Sequence, residues 1–212
     1  MRFYGYFRSS SAYRCRIAFN LKGLRPETVH VNLREGEQRG DDFRDLNPQG
    51  LVPALDTGAG VLAQSLAIIE WLDETFPAPP LLPADAMGRA QVRGFAQIIA
   101  CEIHPLHNLR VLNYLKSEYG ADQAGADAWC RHWIAEGLRA CEAVAAAQDH
   151  GGGCVFGAAP GLADICLIPQ MFAADRFGLE LAGFPRLREI RAHCEDMPQF
   201  AQAHPARQPD AV

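Results

Sequence analysis

Three groups of residues in this chain stand at spacings that could do chemistry. Ser9-Ser10-Ser11 closes a short apolar run and opens a helical pattern, with Arg8 just before it. A hydroxyl at a helix start can simply cap the helix. It can also hold a thiolate, because the helix dipole and an O–H donor both favour a deprotonated sulfur. A serine-histidine-aspartate triad is the competing use, and no G-x-S-x-G elbow supports it. Val52-Pro53 leads into a strand, where a cis bond would turn the Val52 backbone to solvent, free to pair with an extended peptide ligand. A trans bond would leave a plain loop proline. Gln64-Ser65 ends one strand and starts a helix, where unpaired N–H groups and a hydroxyl suit a carboxylate, or where Ser65 is only a cap.

Arg8, Arg110 and Arg176 are far apart in sequence. A convergent set of planar guanidinium forks would suit a small dicarboxylate, whereas any one of them alone reads as a solvated surface residue. Cys101, Glu102, His104 and His107 lie roughly on one helix face, but Pro105 disturbs that face and no fourth ligand is evident for structural zinc. No metal is expected. Cys15 and Cys166 sit in apolar helical patterns and read as core.

The elements that must carry these residues fall into two halves. Met1–Tyr6 reads as a strand, followed by a helix with Cys15, Ala18 and Phe19 on one face, Arg14, Arg16 and Lys22 on others, and a stop at Gly23. Thr28–Asn32 is a second strand and Asp41–Leu46 a short helix ended by Asn47-Pro48. Ala54–Asp56 and Val61–Ala63 flank the hairpin signal Thr57-Gly58-Ala59-Gly60, and Ser65–Glu74 is a helix. This order, β-α-β-α-β-β-α, predicts a small α/β domain over residues 1–76. The proline-rich segment 77–85 reads as a linker. Residues 86–212 read as all-helical: a long helix Ala86–Leu115 kinked by Pro105, an alanine-rich helix Asp127–Gln148 ending before His150-Gly151-Gly152-Gly153, an apolar helix Leu162–Ala174 at the core, then Pro185–Cys194 and Pro198–Ala203.

Composition limits the function classes. With 212 residues, 49% hydrophobic, the chain can bury one large core or two small ones. No run of about 18 apolar residues exists to cross a membrane, and MRFYGYFRSS does not read as a signal peptide. Seven cysteines, odd in number and never in a CxxC pair, predict free thiols in a reducing cytoplasm. A net charge of −5 without a basic block argues against a nucleic-acid partner.

Taken together, Ser9-Ser10-Ser11-Ala12-Tyr13-Arg14-Cys15-Arg16-Ile17-Ala18, LVPAL (51–55), QSLAIIEWL (64–72), PLHNL (105–109), LADICLIPQ (162–170) and HPARQPD (204–210) resemble, in one register over essentially the whole chain, the zeta class of glutathione transferases. The members of that class are maleylacetoacetate and maleylpyruvate isomerases. The resemblance implies a thioredoxin-like N-terminal domain, a C-terminal helical bundle, a cytoplasmic homodimer, and glutathione as cofactor with a small dicarboxylate as substrate. Ser9 would stabilise the glutathione thiolate, with Ser10 and Ser11 beside it. Val52, before a cis-Pro53, would pair with the cysteinyl backbone, and Gln64 and Ser65 would take the γ-glutamyl carboxylate. Gln38, His104 and Asn108 would make lesser contacts, while Arg8 and Arg176 would face the substrate.

Three departures from the family pattern stand out. Ser11 replaces the usual cysteine, so no protein thiol at that place is needed. Gly161 replaces the capping threonine or serine before the core helix, with Asp164 kept. Arg110 stands where the animal enzymes carry a small polar residue, which points to the shorter of the two substrates, maleylpyruvate. Maleylacetoacetate, or halogenated acids in a transferase reaction, are the alternatives.

Overall fold

Successive residues of the first strand point to opposite faces of a sheet, and two aromatics use this directly. On β1 (Arg2–Gly5), Phe3 packs edge-on against Phe19 at 5.1 Å, and Tyr4 meets Phe43 at 6.3 Å on the other face. The computed structural model describes residues 1–148 and 152–211, which fall into two units. The first comprises residues up to Leu81 together with those from Asp196 onward, and the second is Leu82–Glu195.

In the first unit the sheet order is β2-β1-β3-β4, with β2 (Glu27–His30) parallel to β1, and β3 (Ala54–Asp56) antiparallel to both β1 and β4 (Val61–Ala63). Helix α1 (Ser10–Leu21) crosses from β1 to β2, α2 (Asp41–Leu46) covers the Tyr4 face, and α3 (Ser65–Thr75) packs beside α1. Phe3, Ile17, Leu55, Ile68, Ile69 and Leu72 are fully buried, each worth about 1.5–3 kcal/mol of transfer free energy. This is a thioredoxin-like arrangement, with element order and hairpin as the sequence pattern predicts.

Two cations of this segment are taken out of water: Arg14 is 1% exposed and Lys22 is buried. Lys22 is accommodated because its ammonium donates to Asp73 (2.6 Å) and to the carbonyls of Phe76 (2.7 Å) and Pro79 (2.5 Å), which fixes the segment after α3. Arg14 has a different solution, described below.

In the second unit, α4 (Ala86–Gln97) passes into a wide turn, Ile98–Ile103, and a tight one, His104–His107, before α5 (Leu109–Tyr119). The expected single kinked helix over 86–115 is thus two helices. An interior proline costs a helix about 3 kcal/mol or more, and Asn108 restarts the ladder by accepting from the Arg110 N–H at 3.1 Å. The next helix, α6 (Gln123–Ala146), begins four residues before the expected Asp127, because Asp122 caps it through the Gly125 N–H. It ends at Ala146, two residues before the expected Gln148, and His150 and Gly151 of the expected stop signal lie outside the described residues.

Gly137 lets α6 approach the wide turn, since a Cβ there would collide with Ile103. Helix α7 (Leu162–Arg176) is buried on nearly every side against α4 and α8 (Pro185–Glu195). The last helix, α9 (Pro198–Ala203), packs on α1, so the C-terminal segment joins the first unit rather than the helical one to which the sequence pattern assigned all of 86–212.

Candidate functional site

The turn between β1 and α1 presents the serines. Ser9 is the N-cap of α1, its Oγ accepting from the Ala12 N–H at 3.2 Å, and it lies 3.0 Å from the Ser11 Oγ. The Ser11 hydroxyl donates to the Val52 carbonyl at 3.1 Å. Because Ser11 has one proton and a carbonyl can only accept, the proton between the two serines belongs to Ser9. The hydrogen bonds therefore run from Ala12 N–H to Ser9, from Ser9 O–H to Ser11, and from Ser11 O–H to the Val52 carbonyl, which accepts. Ser9 is both a cap and a hydroxyl whose proton can be turned to a better acceptor. Ser10 is buried and makes no side-chain hydrogen bond among the described residues. Arg8 stacks over the Phe7 ring at 5.6 Å and has no ion pair among the described residues.

The loop 47–53 draws the remaining candidates of this unit together. Asn47 holds it by donating to the Leu51 carbonyl at 2.7 Å. Gly50 takes a φ of +61°, and a Cβ there would sit 2.9 Å from the Gln38 carbonyl, so only glycine allows the approach that buries Gln38. Gln49 accepts from the Gln64 amide at 2.8 Å. Val52 and Pro53 are joined by a cis peptide bond, and the Val52 N–H has no backbone acceptor among the described residues. Its carbonyl is already on Ser11.

Gln64 is the one non-glycine residue of positive φ among the described residues (φ 71°, ψ 118°), a conformation costing roughly 1–3 kcal/mol. It is the N-cap position of α3, with Ser65 as the first helical residue rather than the cap. No side chain caps α3, and its first intrahelical bond is Ile68 N–H to the Gln64 carbonyl. The N–H groups before it are left as donors for an anion. Behind them, the buried Arg14 donates from Nη1 to the Ser65 Oγ at 3.2 Å.

In the second unit, His104 lies edge-on to His107 at 5.2 Å, and His107 Nε2 is 3.2 Å from the Gln170 Oε1. Asn108 caps α5. Arg110, in the first turn of α5, is exposed and has no ion pair among the described residues. Arg176, in the last turn of α7, stacks over Phe177 at 4.6 Å.

The donor atoms that cluster here are not those of Cys101, Glu102, His104 and His107. Among the described residues they belong to Cys154, Asp164 and Cys194, all within 4.8 Å of one another and buried. Asp164 spends one oxygen on the Val155 N–H (2.8 Å) and the other on the Gly161 N–H (2.9 Å). Burial pushes its carboxyl up to about 6. The Cys194 thiol is pushed up by its hydrogen bond with Cys154 and by burial. Both make poor ligands, and the group reads as the brace of the α7 N-terminus.

Comparison with known proteins places the chain in a family. Residues 8–75 match the glutathione S-transferase N-terminal domain family. The chain is 49% identical to a maleylpyruvate isomerase of Ralstonia sp. over 212 residues, covering 100% of both chains. It is 47% identical to a maleylacetoacetate isomerase of Pseudomonas aeruginosa, covering 99% of this chain and 98% of the relative. A solved holo structure of a maleylpyruvate isomerase, described as a bacterial zeta-class glutathione S-transferase, superposes with a TM-score of 0.98 at 49% identity, each chain covered in full.

The chain belongs to the zeta class of glutathione transferases. Its fold is the glutathione transferase fold, a thioredoxin-like unit followed by a mainly helical one. The transferase reading gives each orphan group of the first unit one tripeptide to serve. The Val52 N–H suits its backbone, the open α3 start with Ser65 suits its α-carboxylate, and Ser9 suits its sulfur. The residues present therefore fit glutathione. Three residues without a local sequence signal support these groups: Arg14 donates to Ser65, Gln49 accepts from Gln64, and Asp210 accepts from the Phe7 N–H at 2.9 Å next to the serine turn. Among the described residues no helix is long and apolar enough to cross a membrane.

Proposed function

We propose that the protein is a glutathione-dependent cis–trans isomerase that converts maleylpyruvate to fumarylpyruvate. The observation that carries the proposal is the serine-to-Val52 hydrogen-bond chain beside an uncapped α3, in a chain alike from end to end to a maleylpyruvate isomerase. Bound glutathione supplies a thiolate that adds reversibly to the conjugated double bond, leaving a single bond free to rotate.

The chain's own residues do the rest. Ser9 turns its proton from Ser11 to the sulfur, exchanging a neutral hydrogen bond for a charge-assisted one about twice as strong. Ser11 stays on Val52 and keeps the turn in register. Val52 offers its N–H to the cysteinyl backbone, and Ser65 with the α3 N–H groups holds the γ-glutamyl carboxylate. Gln38, Gln64, His104 and Asn108 add lesser contacts to the tripeptide. Arg8, Arg110 and Arg176 hold the carboxylates of the substrate and offset the negative charge that develops toward the keto acid, an oxyanion-type role.

The same reading makes the protein a cytoplasmic homodimer, in keeping with seven cysteines that are all free thiols. Residues 77–85 serve as the connection between its two units. Ultraviolet spectrophotometry with maleylpyruvate, run with and without glutathione, tests the function. Turnover should depend wholly on glutathione. Turnover without it would sink the mechanism, and no turnover of either maleyl keto acid would sink the isomerase.

A further inference from the structure

Arg14 is the largest fully buried side chain among the described residues, and most of its donors are unmet. Of the guanidinium nitrogens, Nη1 donates to the Ser65 Oγ, while Nε and Nη2 have no partner among the described residues. Burying an unpaired cation is among the costliest arrangements in a protein core, and an apolar side chain of similar volume would fill the space at lower cost. Lys22 shows how the same helix treats a buried cation that serves only the fold: an aspartate and two carbonyls accept from it. Arg14 has no such set. Its one acceptor is the hydroxyl at the open end of α3.

We propose that Arg14 is a positioning residue for the α-carboxylate of the tripeptide, acting through Ser65. A serine hydroxyl has one proton and two lone pairs. With a lone pair taken by Nη1, the Ser65 O–H is turned away from the core and toward the α3 N-terminus, as a donor. The guanidinium places a full positive charge behind the partial charge of the helix start, so an anion bound there completes a pair that the protein alone leaves open. The fork matters as well as the charge, because an ammonium at the end of a flexible stem does not set one direction for the hydroxyl.

The inference rests on the site taking glutathione, and its test separates the two. Calorimetry compares glutathione with the analogue in which the α-carboxylate of the glutamyl residue is replaced by hydrogen. The native protein should bind glutathione roughly tenfold to hundredfold more tightly than the analogue. Arg14→Met should bring glutathione down toward the analogue while leaving the analogue's own affinity unchanged, so that the discrimination collapses. In turnover the loss should appear in KM for glutathione rather than in kcat, and Arg14→Lys should restore only part of it.

Equal weakening of both ligands in Arg14→Met would show a packing role and overturn the proposal, as would undiminished discrimination. If Arg14→Met does not fold, Arg14→Lys with native discrimination overturns it alone. A native protein that binds neither ligand overturns instead the assignment of glutathione to the site.

Discussion

Ser9 and Ser11 are neighbours with opposite duties, and the direction of one proton separates them. Ser11 is committed to Val52, whereas Ser9 holds the only proton in the pair that can leave for a ligand. Ser9→Ala should therefore lower kcat/KM for the isomerisation by roughly tenfold to hundredfold, the worth of a hydrogen bond to a charged group. It should also raise the pKa of the bound thiol, read from the ultraviolet absorbance of the thiolate. Ser11→Ala loses a neutral bond and should cost about two- to tenfold, with the thiol pKa little moved. Equal effects of the two changes would remove the distinction. Arg110 belongs to the same scale. Arg110→Ala should reduce maleylpyruvate turnover more than maleylacetoacetate turnover in steady-state assays, and equal losses would remove the reason for preferring the shorter substrate.

At the scale of elements, α7 is held by its first turn. Gly161 lacks a capping side chain, but a glycine cap costs only a few tenths of a kcal/mol. The two backbone donors on Asp164 are worth more, and so this carboxyl governs the element. Its pKa of about 6 lies above the ordinary 3.8 because burial disfavours the charge. Over that interval the folded protein holds more protons than the unfolded chain, so the contribution of Asp164 to stability is full below about pH 4 and falls as pH rises to about 6. Thermal unfolding of the native protein and Asp164→Asn should show a difference that shrinks across that window. A difference that grew with pH would refute the assignment.

Much of the element pattern was legible because its signals are local. The residue ranges of α2, β3, β4 and α9 follow from glycine, proline and alternation within a few residues. The break at Pro105 was misread as a kink because the sequence pattern did not reveal that Asn108 would cap a new helix.

The molecule as a whole explains what sequence could not give away. Arg14 meets Ser65 51 positions on, and Asp210 meets Phe7 across 203. No periodicity reaches that far, so the resemblance could single out the serines, Val52 and Gln64-Ser65 as candidates while the pattern gave no sign of the residues that support them. The C-terminal segment is one such support. Arg16, pulled down to about 10 by burial yet still charged at neutral pH, donates to the carbonyls of Phe7 and Ala203, while Asp210 takes the Phe7 N–H and lies 3.2 Å from His30. Asp210→Ala should lower kcat/KM and speed amide exchange at Phe7 while the far-ultraviolet circular dichroism stays native. Unchanged exchange would show that the segment does not brace the turn.

The position of Asp210 also bears on the order in which the protein is made. A chain emerging from the ribosome folds from its N-terminal end, and the first 81 residues carry every strand of the sheet. Yet the turn bearing Arg8 and Ser9 receives its last hydrogen-bond acceptor only when residue 210 has been translated. A turn made early is thus completed by a residue made more than two hundred positions later.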